Sequence, residues 1–195
     1  MSRPSLAHWV SLKIFAISGS LRTASINSAP LRTTANLAPP HIEITVCGLV
    51  GELPLFNPDL EALQPDAVRR LYQQVGQADA LLIASPEYAH GVTGAIRNTL
   101  DWLMGCEAFV SKPVAVLNAS PRARLADAAL GETLKTMSAV IVEPASLTIP
   151  LLGANLGQSD MAQTPAIAHA LRESLAALYG AVVLQRAEGG PVFPV

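Results

Sequence analysis

Phosphate-binding residue types are concentrated in one stretch near the start of the chain. Ser20, Ser25 and Asn27 supply hydroxyl and amide groups, and Arg22 supplies a guanidinium that suits a phosphate. The stretch follows the apolar run Ile14–Ile17 and precedes a segment with helical character. Because a helix N-terminus presents unpaired N–H groups and the positive end of the helix dipole, this loop is expected to bind an anion such as phosphate. The alternative is an ordinary turn in which Ser25 caps the helix.

A second loop, Ser85–Gly94, places an aromatic ring, a carboxylate and an imidazole next to one another. Tyr88 offers a flat face that could border a planar ring, and Pro86 would keep the turn rigid beside it. Glu87 is expected to secure the loop or a subunit contact, because nothing in the sequence supplies it with a catalytic partner. His90 is as compatible with a solvated loop histidine as with a functional one.

A third loop, Asn118–Arg124, follows another apolar run and contains no glycine. Its non-glycine residues restrict the backbone and carry side chains that need room. Arg122 and Arg124 could bind a negatively charged part of a ligand, or they could simply be exposed to solvent.

Apolar runs without alternation predict strands that are buried on both faces, as in a parallel sheet. The predicted strands cover residues 13–17, 41–46, 80–84, 113–117 and 139–142, and residues 146–150 could extend the last one. Start and stop signals predict helices over residues 27–37, 65–77, 95–104, 126–137 and 165–179. Residues 153–163 are predicted to form a loop, and the tail 187–195 is predicted to be irregular.

This alternation of strands and helices predicts a parallel sheet with helices on both faces. In open sheets of this kind, ligands bind beyond the carboxyl ends of the strands, near the point where the strand order reverses. The three loops described above all follow predicted strands. They are therefore expected to lie at one edge of the sheet and to form one site.

The composition limits the class of protein. The chain has 195 residues, a formal net charge of −2 and 14% charged residues, so a basic nucleic-acid surface is not expected. No apolar stretch reaches the length of a membrane-spanning helix, so membrane insertion is not expected either. Residues 1–11 lack the apolar core of a signal peptide and are predicted to be a disordered lead-in to a single domain over residues 12–195.

Cysteine and histidine usage points to no metal site. Cys47 and Cys106 lie far apart and fit neither a C-x-x-C nor a metal-ligand spacing, which predicts ordinary core thiols in a reducing cytoplasm. The 4 histidines are scattered along the chain, so no metal-binding cluster is predicted.

Three motifs, in order, resemble those of one family. Gly19–Asn27 matches the pattern G-S-x-R-x-x-S-x-N, Pro86–Tyr88 matches P-E-Y, and Arg97–Trp102 resembles K-N-x-x-D-W. Together they resemble the NADPH-dependent FMN reductase family of flavodoxin-like proteins, which includes quinone, chromate and azo-dye reductases. The resemblance spans nearly the whole chain, and it implies a flavodoxin-like three-layer α/β sandwich with a five-stranded parallel sheet.

The resemblance implies FMN as the cofactor and NADPH or NADH as the co-substrate. It implies that a hydride passes from NAD(P)H through flavin N5 to a quinone, free flavin or similar small-molecule acceptor, and no side-chain acid or base is strictly needed. The residues implied to contact FMN are Ser20, Leu21, Arg22, Ser25, Asn27, Pro86, Glu87, Tyr88, Ala89 and Ser120. The resemblance also implies that four residues of the third motif support the second loop, namely Arg97, Asn98, Asp101 and Trp102. It further implies that the protein forms a homodimer or homotetramer.

Two departures from the family pattern leave a second function open. Ala89 stands where the family often has asparagine, so one side-chain amide contact would be lost. The third loop of the family is usually rich in glycine, whereas this one has none. Arg122 and Arg124 could instead face the N1–O2 edge of the flavin or bind the phosphates of NADPH. If these changes abolish tight FMN binding or hydride transfer, the chain would be a non-catalytic flavodoxin-like binding module.

Overall fold

The computed structural model describes residues 10–22, 25, 27–149 and 158–189. Most of the predicted lead-in, and the last residues of the predicted tail, lie outside the described residues. Residue 150 and the first part of the predicted loop 153–163 lie outside them as well.

The apolar runs form the central sheet. Its main strands are β1 (Leu12–Ser18), β2 (Ile42–Val46), β3 (Ala80–Ala84) and β6 (Pro113–Asn118). The short strands β4 (Glu87–Tyr88) and β5 (Gly91–Val92) form a separate antiparallel hairpin, and β7 (Val140–Ile141) and β8 (Leu147–Thr148) both pair with β6. All pairings in the central sheet are parallel, in the order β2-β1-β3-β6 followed by β7 and β8.

Within the described residues, six α-helices connect and cover the strands. They are α1 (Ala29–Leu37), α2 (Asp66–Gln77), α3 (Gly94–Leu103), α4 (Arg124–Thr136), α5 (Gln158–Gln163) and α6 (Pro165–Ala187), and three single turns of 3₁₀-helix lie at Pro58–Leu60, Glu107–Phe109 and Glu143–Ala145. The predicted α/β class and parallel sheet are confirmed.

The sheet separates two apolar layers. Alternate residues of β1 point to opposite sides, with Phe15 and Ile17 in one cluster and Ile14 and Ala16 in the other. The first cluster includes apolar side chains of α2, α3 and α4, and the second includes those of α1 and α6. β3 is buried at all five residues, as its unbroken apolar sequence predicts for a central parallel strand.

The fifth position of the sheet is split rather than continuous. The single strand predicted over residues 139–142 is reduced to β7, and the possible extension is the separate strand β8. Between them the chain turns through Glu143–Ala145, which contains a proline. The Ser146 hydroxyl accepts a hydrogen bond of 3.1 Å from the Val116 backbone N–H and so fills the gap in the ladder.

One predicted loop and the end of one predicted helix were wrong. The predicted loop 153–163 contains α5, whose Met161 is fully buried and receives a long hydrogen bond of 3.9 Å from the Thr33 hydroxyl of α1. α6 does not end near Tyr179 but continues to Ala187, the first residue of the predicted irregular tail. Its last turns are held by tertiary contacts, because Gln185 donates to the Ser111 carbonyl and Arg186 pairs with Asp79.

α6 is long and apolar enough, by length and composition alone, to cross a membrane. In this structure α6 packs, together with α1, against one face of the sheet. A stripe of its side chains at helical spacing is buried: Ala168, Leu171, Ser174, Leu175, Leu178 and Val182. Such a stripe is typical of an amphipathic helix that covers a sheet.

Both cysteines are free thiols, Cys106 buried and Cys47 half-buried. Burial raises the pKa of each thiol above its ordinary value, which disfavours the thiolate. This agrees with the prediction of ordinary core thiols.

Candidate functional site

Sheet order brings the three predicted loops together. The loops after β1, β3 and β6 are neighbours at the carboxyl edge, because these strands are adjacent in the sheet. The strand order reverses between β1 and β3, which is where ligands bind in doubly wound sheets. The loop after β1 is called the first loop below, and those after β3 and β6 are the second and third loops.

Gly19 is the point where the first and second loops touch. Its N–H donates to the Ala84 carbonyl at 2.7 Å, and its carbonyl accepts from the Thr93 hydroxyl at 2.6 Å. A Cβ at this position would lie 2.6 Å from Ser85 Oγ, so only glycine fits without a shift. The two loops are therefore held in direct contact.

Thr93 is a site residue that the sequence prediction missed. It caps α3, since its hydroxyl accepts a hydrogen bond of 3.2 Å from the Ile96 N–H, and the same hydroxyl donates to Gly19. A threonine directly before a helical segment is a recognisable N-cap signal. The second contact, to a residue 74 positions away, has no signal in the sequence.

The first loop is organised by its own serines. The Ser25 hydroxyl accepts from the Asn27 N–H at 3.1 Å, and the Ser25 carbonyl accepts from the N–H groups of Ser28 and Ala29. Ser25 is not the helix cap, which corrects that alternative. The N-cap is Ser28, and its hydroxyl makes no capping bond but instead lies 2.6 Å from Ser18 Oγ.

The start of α1 suits an anion. No acidic residue occupies its first turn, so the positive end of the helix dipole is not compensated there. Arg22 is exposed and makes no ion pair with any described residue, and Leu21 beside it is exposed too. The Ser20 hydroxyl is half-buried and accepts a weak hydrogen bond of 3.4 Å from the Arg22 N–H. These groups fit the phosphate of a mononucleotide by charge and donor type.

The second loop is a tight β-hairpin rather than an irregular loop. Ala89 and His90 lie at its tip between β4 and β5, and both have left-handed backbones, with φ of 49° and 61°. Two successive left-handed residues are typical of a type I′ turn, where asparagine and glycine are favoured. Tyr88 remains 59% exposed next to the tip, so its ring is free to border a planar group.

Glu87 links the second loop to the third. Its Oε2 accepts hydrogen bonds from the N–H groups of Leu125 at 3.1 Å and Ala126 at 2.9 Å, in the first turn of α4. The other oxygen, Oε1, lies 3.4 Å from Nδ1 of His90. The Ala126 N–H is the main cause that lowers the pKa of the Glu87 carboxyl, and His90 lowers it further. The structure thus confirms that Glu87 secures its loop.

The third loop is closed by internal hydrogen bonds. Asn118 Oδ1 accepts from the Ser120 N–H at 2.9 Å, and Ser120 Oγ accepts from the Arg122 N–H at 3.1 Å. The Ser120 carbonyl accepts from the Ala123 N–H at 3.1 Å. Ser120 is buried in this network, whereas Arg122 and Arg124 are exposed and make no ion pair within the described part of the chain. The loop therefore presents arginine side chains rather than backbone donors.

The motif after the hairpin contacts the segment that follows β2. The Asn98 side chain accepts from the Phe56 N–H at 2.8 Å and donates to the Pro54 carbonyl at 3.0 Å. The fully buried Trp102 donates from its indole N–H to the same Pro54 carbonyl at 2.8 Å. Arg97 and Asp101 form an ion pair on the outside of α3. Asn98 and Trp102 thus fix the segment after β2 against α3.

Comparison with known proteins identifies the family. The model of the family described as NADPH-dependent FMN reductase matches residues 12–151. The chain belongs to this family. An NAD(P)H-dependent FMN reductase of Pseudomonas aeruginosa is 43% identical over 112 residues, which is 56% of this chain and 60% of the relative. A quinone reductase of Escherichia coli is 32% identical over 113 residues, again 56% of this chain and 60% of the relative.

A solved structure gives the same result for the fold. The flavoenzyme NAD(P)H:(acceptor) oxidoreductase FerB of Paracoccus denitrificans superposes with a TM-score of 0.69 at 25% identity, and the match covers 87% of this chain and 98% of that one. The predicted family and the flavodoxin-like α/β fold are confirmed by these matches. The matched region spans about 60% of the length of the curated relatives.

Proposed function

We propose that this protein is an FMN-dependent NAD(P)H oxidoreductase that reduces a quinone, free flavin or similar small acceptor. The observation that carries the proposal is the joining of the first and second loops at Gly19. Gly19 opens the loop that leads to the anion-suited start of α1, and Thr93 closes the loop that carries the exposed ring of Tyr88, so the contact between them supports one shared site at the strand-order reversal. Family membership and the names of the relatives support the same activity.

In this function the chain binds and orients, and FMN, when bound, supplies the hydride chemistry at its N5 atom. The first loop would hold the phosphate and ribityl chain of FMN through Ser20, Arg22, Ser25 and Asn27, with Leu21 bordering them. The hairpin residues Pro86, Tyr88 and Ala89 would border the isoalloxazine ring. None of these groups needs to transfer a proton, so the proposal names no catalytic side chain.

The test is an anaerobic visible spectrum of the purified protein with FMN, recorded before and after addition of NADPH or NADH. We expect flavin absorption bands that bleach on addition of the nucleotide and return when a quinone is added. Bound flavin that does not bleach would contradict a reductase and would favour an electron carrier. Failure to bind FMN at all would contradict both a reductase and a carrier and would favour a non-catalytic module.

A non-catalytic binding module is the second candidate, and the third loop favours it. The N–H groups of Ser120, Arg122 and Ala123 are all bonded within that loop, so few backbone donors remain for a flavin edge. The named activities of the relatives support the reductase instead. The spectrum described above distinguishes the two candidates, since a module would give no bleaching.

Two arginines favour NADPH over NADH as the reductant. Arg122 and Arg124 add two positive charges to the carboxyl edge, and guanidinium groups suit the additional phosphate of NADPH. The ratio of kcat/KM for the two nucleotides tests this preference. An equal ratio in wild type and in an Arg122→Ala, Arg124→Ala double variant would contradict it.

We further propose that the protein is a cytoplasmic homodimer or homotetramer. Leu55, Leu63 and Met104 are large apolar side chains that are mostly exposed in the single chain, and Leu55 lies between Pro54 and Phe56, which bind α3. Association would remove such side chains from water. Light scattering during size exclusion would give the mass, and a monomer at micromolar concentration would contradict the proposal.

A further inference from the structure

Helix α4 does not cap its own N-terminus. Its N-cap residue is Ala123, which has no side-chain acceptor. The first-turn N–H groups of Leu125 and Ala126 are bound instead by the Glu87 carboxylate, which comes from a strand 38 and 39 residues earlier. Unpaired N–H groups at a helix start are normally satisfied by a local serine, threonine or aspartate. The start of α4 therefore depends on the second loop.

The same carboxylate is held to the tip of the hairpin. Its second oxygen pairs with His90, whose left-handed backbone forms the turn together with Ala89. The Glu87 side chain is only 15% exposed, in contrast to the solvent-exposed ring of His90. One side chain thus contacts the tip of its own hairpin and the first turn of the helix that follows the third loop.

We propose that Glu87 is a positioning residue that fixes the second and third loops relative to each other, so that both can border the flavin. The inference rests on the proposed function, which assigns the second loop to the isoalloxazine ring, and it adds the third loop as a second border of that ring. It differs from a direct flavin contact, since both carboxylate oxygens are already used by the protein. The effect of Glu87 on FMN would be transmitted through the placement of the hairpin and of α4.

Asp79 provides a matched control at the other end of the sheet. Its carboxylate also accepts a backbone hydrogen bond, from the Lys13 N–H at 2.8 Å, and it pairs with a cation, Arg186. It lies directly before β3, whereas Glu87 lies just after it. Asp79→Ala and Glu87→Ala therefore remove the same kind of group from opposite edges of the sheet.

The experiment measures three quantities for wild type, Glu87→Ala, Glu87→Gln and Asp79→Ala. They are the dissociation constant of FMN from flavin fluorescence, the visible circular dichroism of bound FMN, and amide hydrogen exchange in the FMN-free protein. We expect Glu87→Ala to raise the FMN dissociation constant about fivefold or more, the lower end of measured couplings between sites. We also expect an altered flavin dichroism and faster exchange at Leu125, Ala126 and the hairpin. Asp79→Ala should lower thermal stability but leave these three quantities as in wild type.

Glu87→Gln keeps an acceptor oxygen for the N–H groups of α4 but removes the charge. The FMN dissociation constant of this variant should therefore lie between those of wild type and Glu87→Ala. The variant also serves if Glu87→Ala fails to fold. Equal FMN affinity and dichroism in wild type and in the folded Glu87 variants would overturn the positioning role while leaving the proposed function intact. The same affinity loss in Asp79→Ala would overturn it too, because the effect would then follow general stability. If wild type binds no FMN, the proposed function itself is overturned.

Discussion

Gly19 shows how a single residue type sets the distance between two loops. A Cβ there would lie 2.6 Å from Ser85 Oγ and 2.9 Å from Ser85 Cβ, and Ser85 is too short a side chain to move away without its backbone. We expect Gly19→Ala to lower the free energy of unfolding by about 1–3 kcal/mol, the usual cost of overpacking. Urea denaturation measures this change.

Gly180→Ala is the control for that variant. Gly180 lies inside α6, and a Cβ added there meets nothing within 4 Å. This variant should gain about 0.5–1 kcal/mol from the higher helix propensity of alanine. If Gly19→Ala were as stable as wild type, the close approach of the two loops would not be a constraint.

Ala89 carries backbone strain at the tip of the hairpin. Its φ of 49° places a non-glycine residue in the left-handed region, which costs roughly 1–2 kcal/mol. Ala89→Gly should therefore stabilise the protein by up to about 1 kcal/mol, the remainder being offset by the greater freedom of glycine in the unfolded chain. Ala128→Gly, at an exposed position inside α4, should instead destabilise by about 1 kcal/mol. Thermal denaturation measures the change in stability of each variant. A change of the same sign in both variants would contradict backbone strain at Ala89.

At the scale of elements, the dependence of α4 on Glu87 predicts a pH effect on stability. The Ala126 N–H lowers the pKa of the Glu87 carboxyl below its ordinary value of 4.5, so ionisation favours the folded state. This contribution is complete above the ordinary pKa and is lost as the pH falls through the lower, folded-state pKa.

We therefore expect wild type to be more stable than Glu87→Gln by a constant amount at neutral pH, and this difference to shrink below about pH 4.5. Urea denaturation of both proteins at a series of pH values measures it. Glutamine does not titrate, so ionisable groups that do not contact residue 87 cancel in the difference. A difference that stays constant down to about pH 3 would show that the carboxylate gains nothing from capping α4.

Elements with an unbroken apolar core could be predicted from the sequence, and those held by distant contacts could not. β3 was predicted with its observed bounds, because Ala80–Ala84 is wholly apolar and lies between polar residues. The predicted end of α6 was wrong because Gly180 resembles a stop signal. The last turns of this helix are held instead by Gln185 and Arg186, which bind residues far away in sequence. α5 was missed because six residues give too short a pattern to read.

The candidate site, too, could be predicted only in part from the sequence. The three loops could be predicted, since each follows an apolar strand and contains residue types that suit a flavin nucleotide. The bonds that join them could not, because Thr93 to Gly19 and Glu87 to Ala126 connect residues that become neighbours only after the sheet forms. The left-handed tip at Ala89 and His90 was hidden as well, since neither residue is typical of such a turn.

At the scale of the whole molecule, the two edges of the sheet have different roles. The amino edge is closed by α6, where Arg186 pairs with Asp79, and by Lys112, whose buried ammonium donates to the Ala78 carbonyl at 2.7 Å. Burial lowers the pKa of this lysine. The carboxyl edge instead presents Arg22, Arg122 and Arg124 to solvent. An anionic ligand is therefore expected to bind at the carboxyl edge and to stabilise the molecule as a whole.

Thermal stabilisation by two ligands can distinguish recognition of the FMN phosphate from recognition of the flavin ring. Riboflavin shares the isoalloxazine and ribityl groups of FMN but lacks the phosphate, so FMN should raise the Tm more than riboflavin at equal concentration. A ligand at 100 times its Kd stabilises the folded state by about 2.7 kcal/mol. Arg22→Ala should cost FMN binding about 1.5–3 kcal/mol, the value of a hydrogen bond to a charged group, and should leave riboflavin binding unchanged.

The FMN advantage should therefore nearly disappear in Arg22→Ala and persist in Arg172→Ala, which removes an exposed arginine of α6 that belongs to none of the three loops. Thermal unfolding of the three proteins with each ligand measures the difference. Equal shifts for FMN and riboflavin in wild type would mean that the start of α1 does not recognise the phosphate. An FMN advantage that survives in Arg22→Ala would instead assign the phosphate to the serines and the helix dipole, because these are the groups that remain at the first loop.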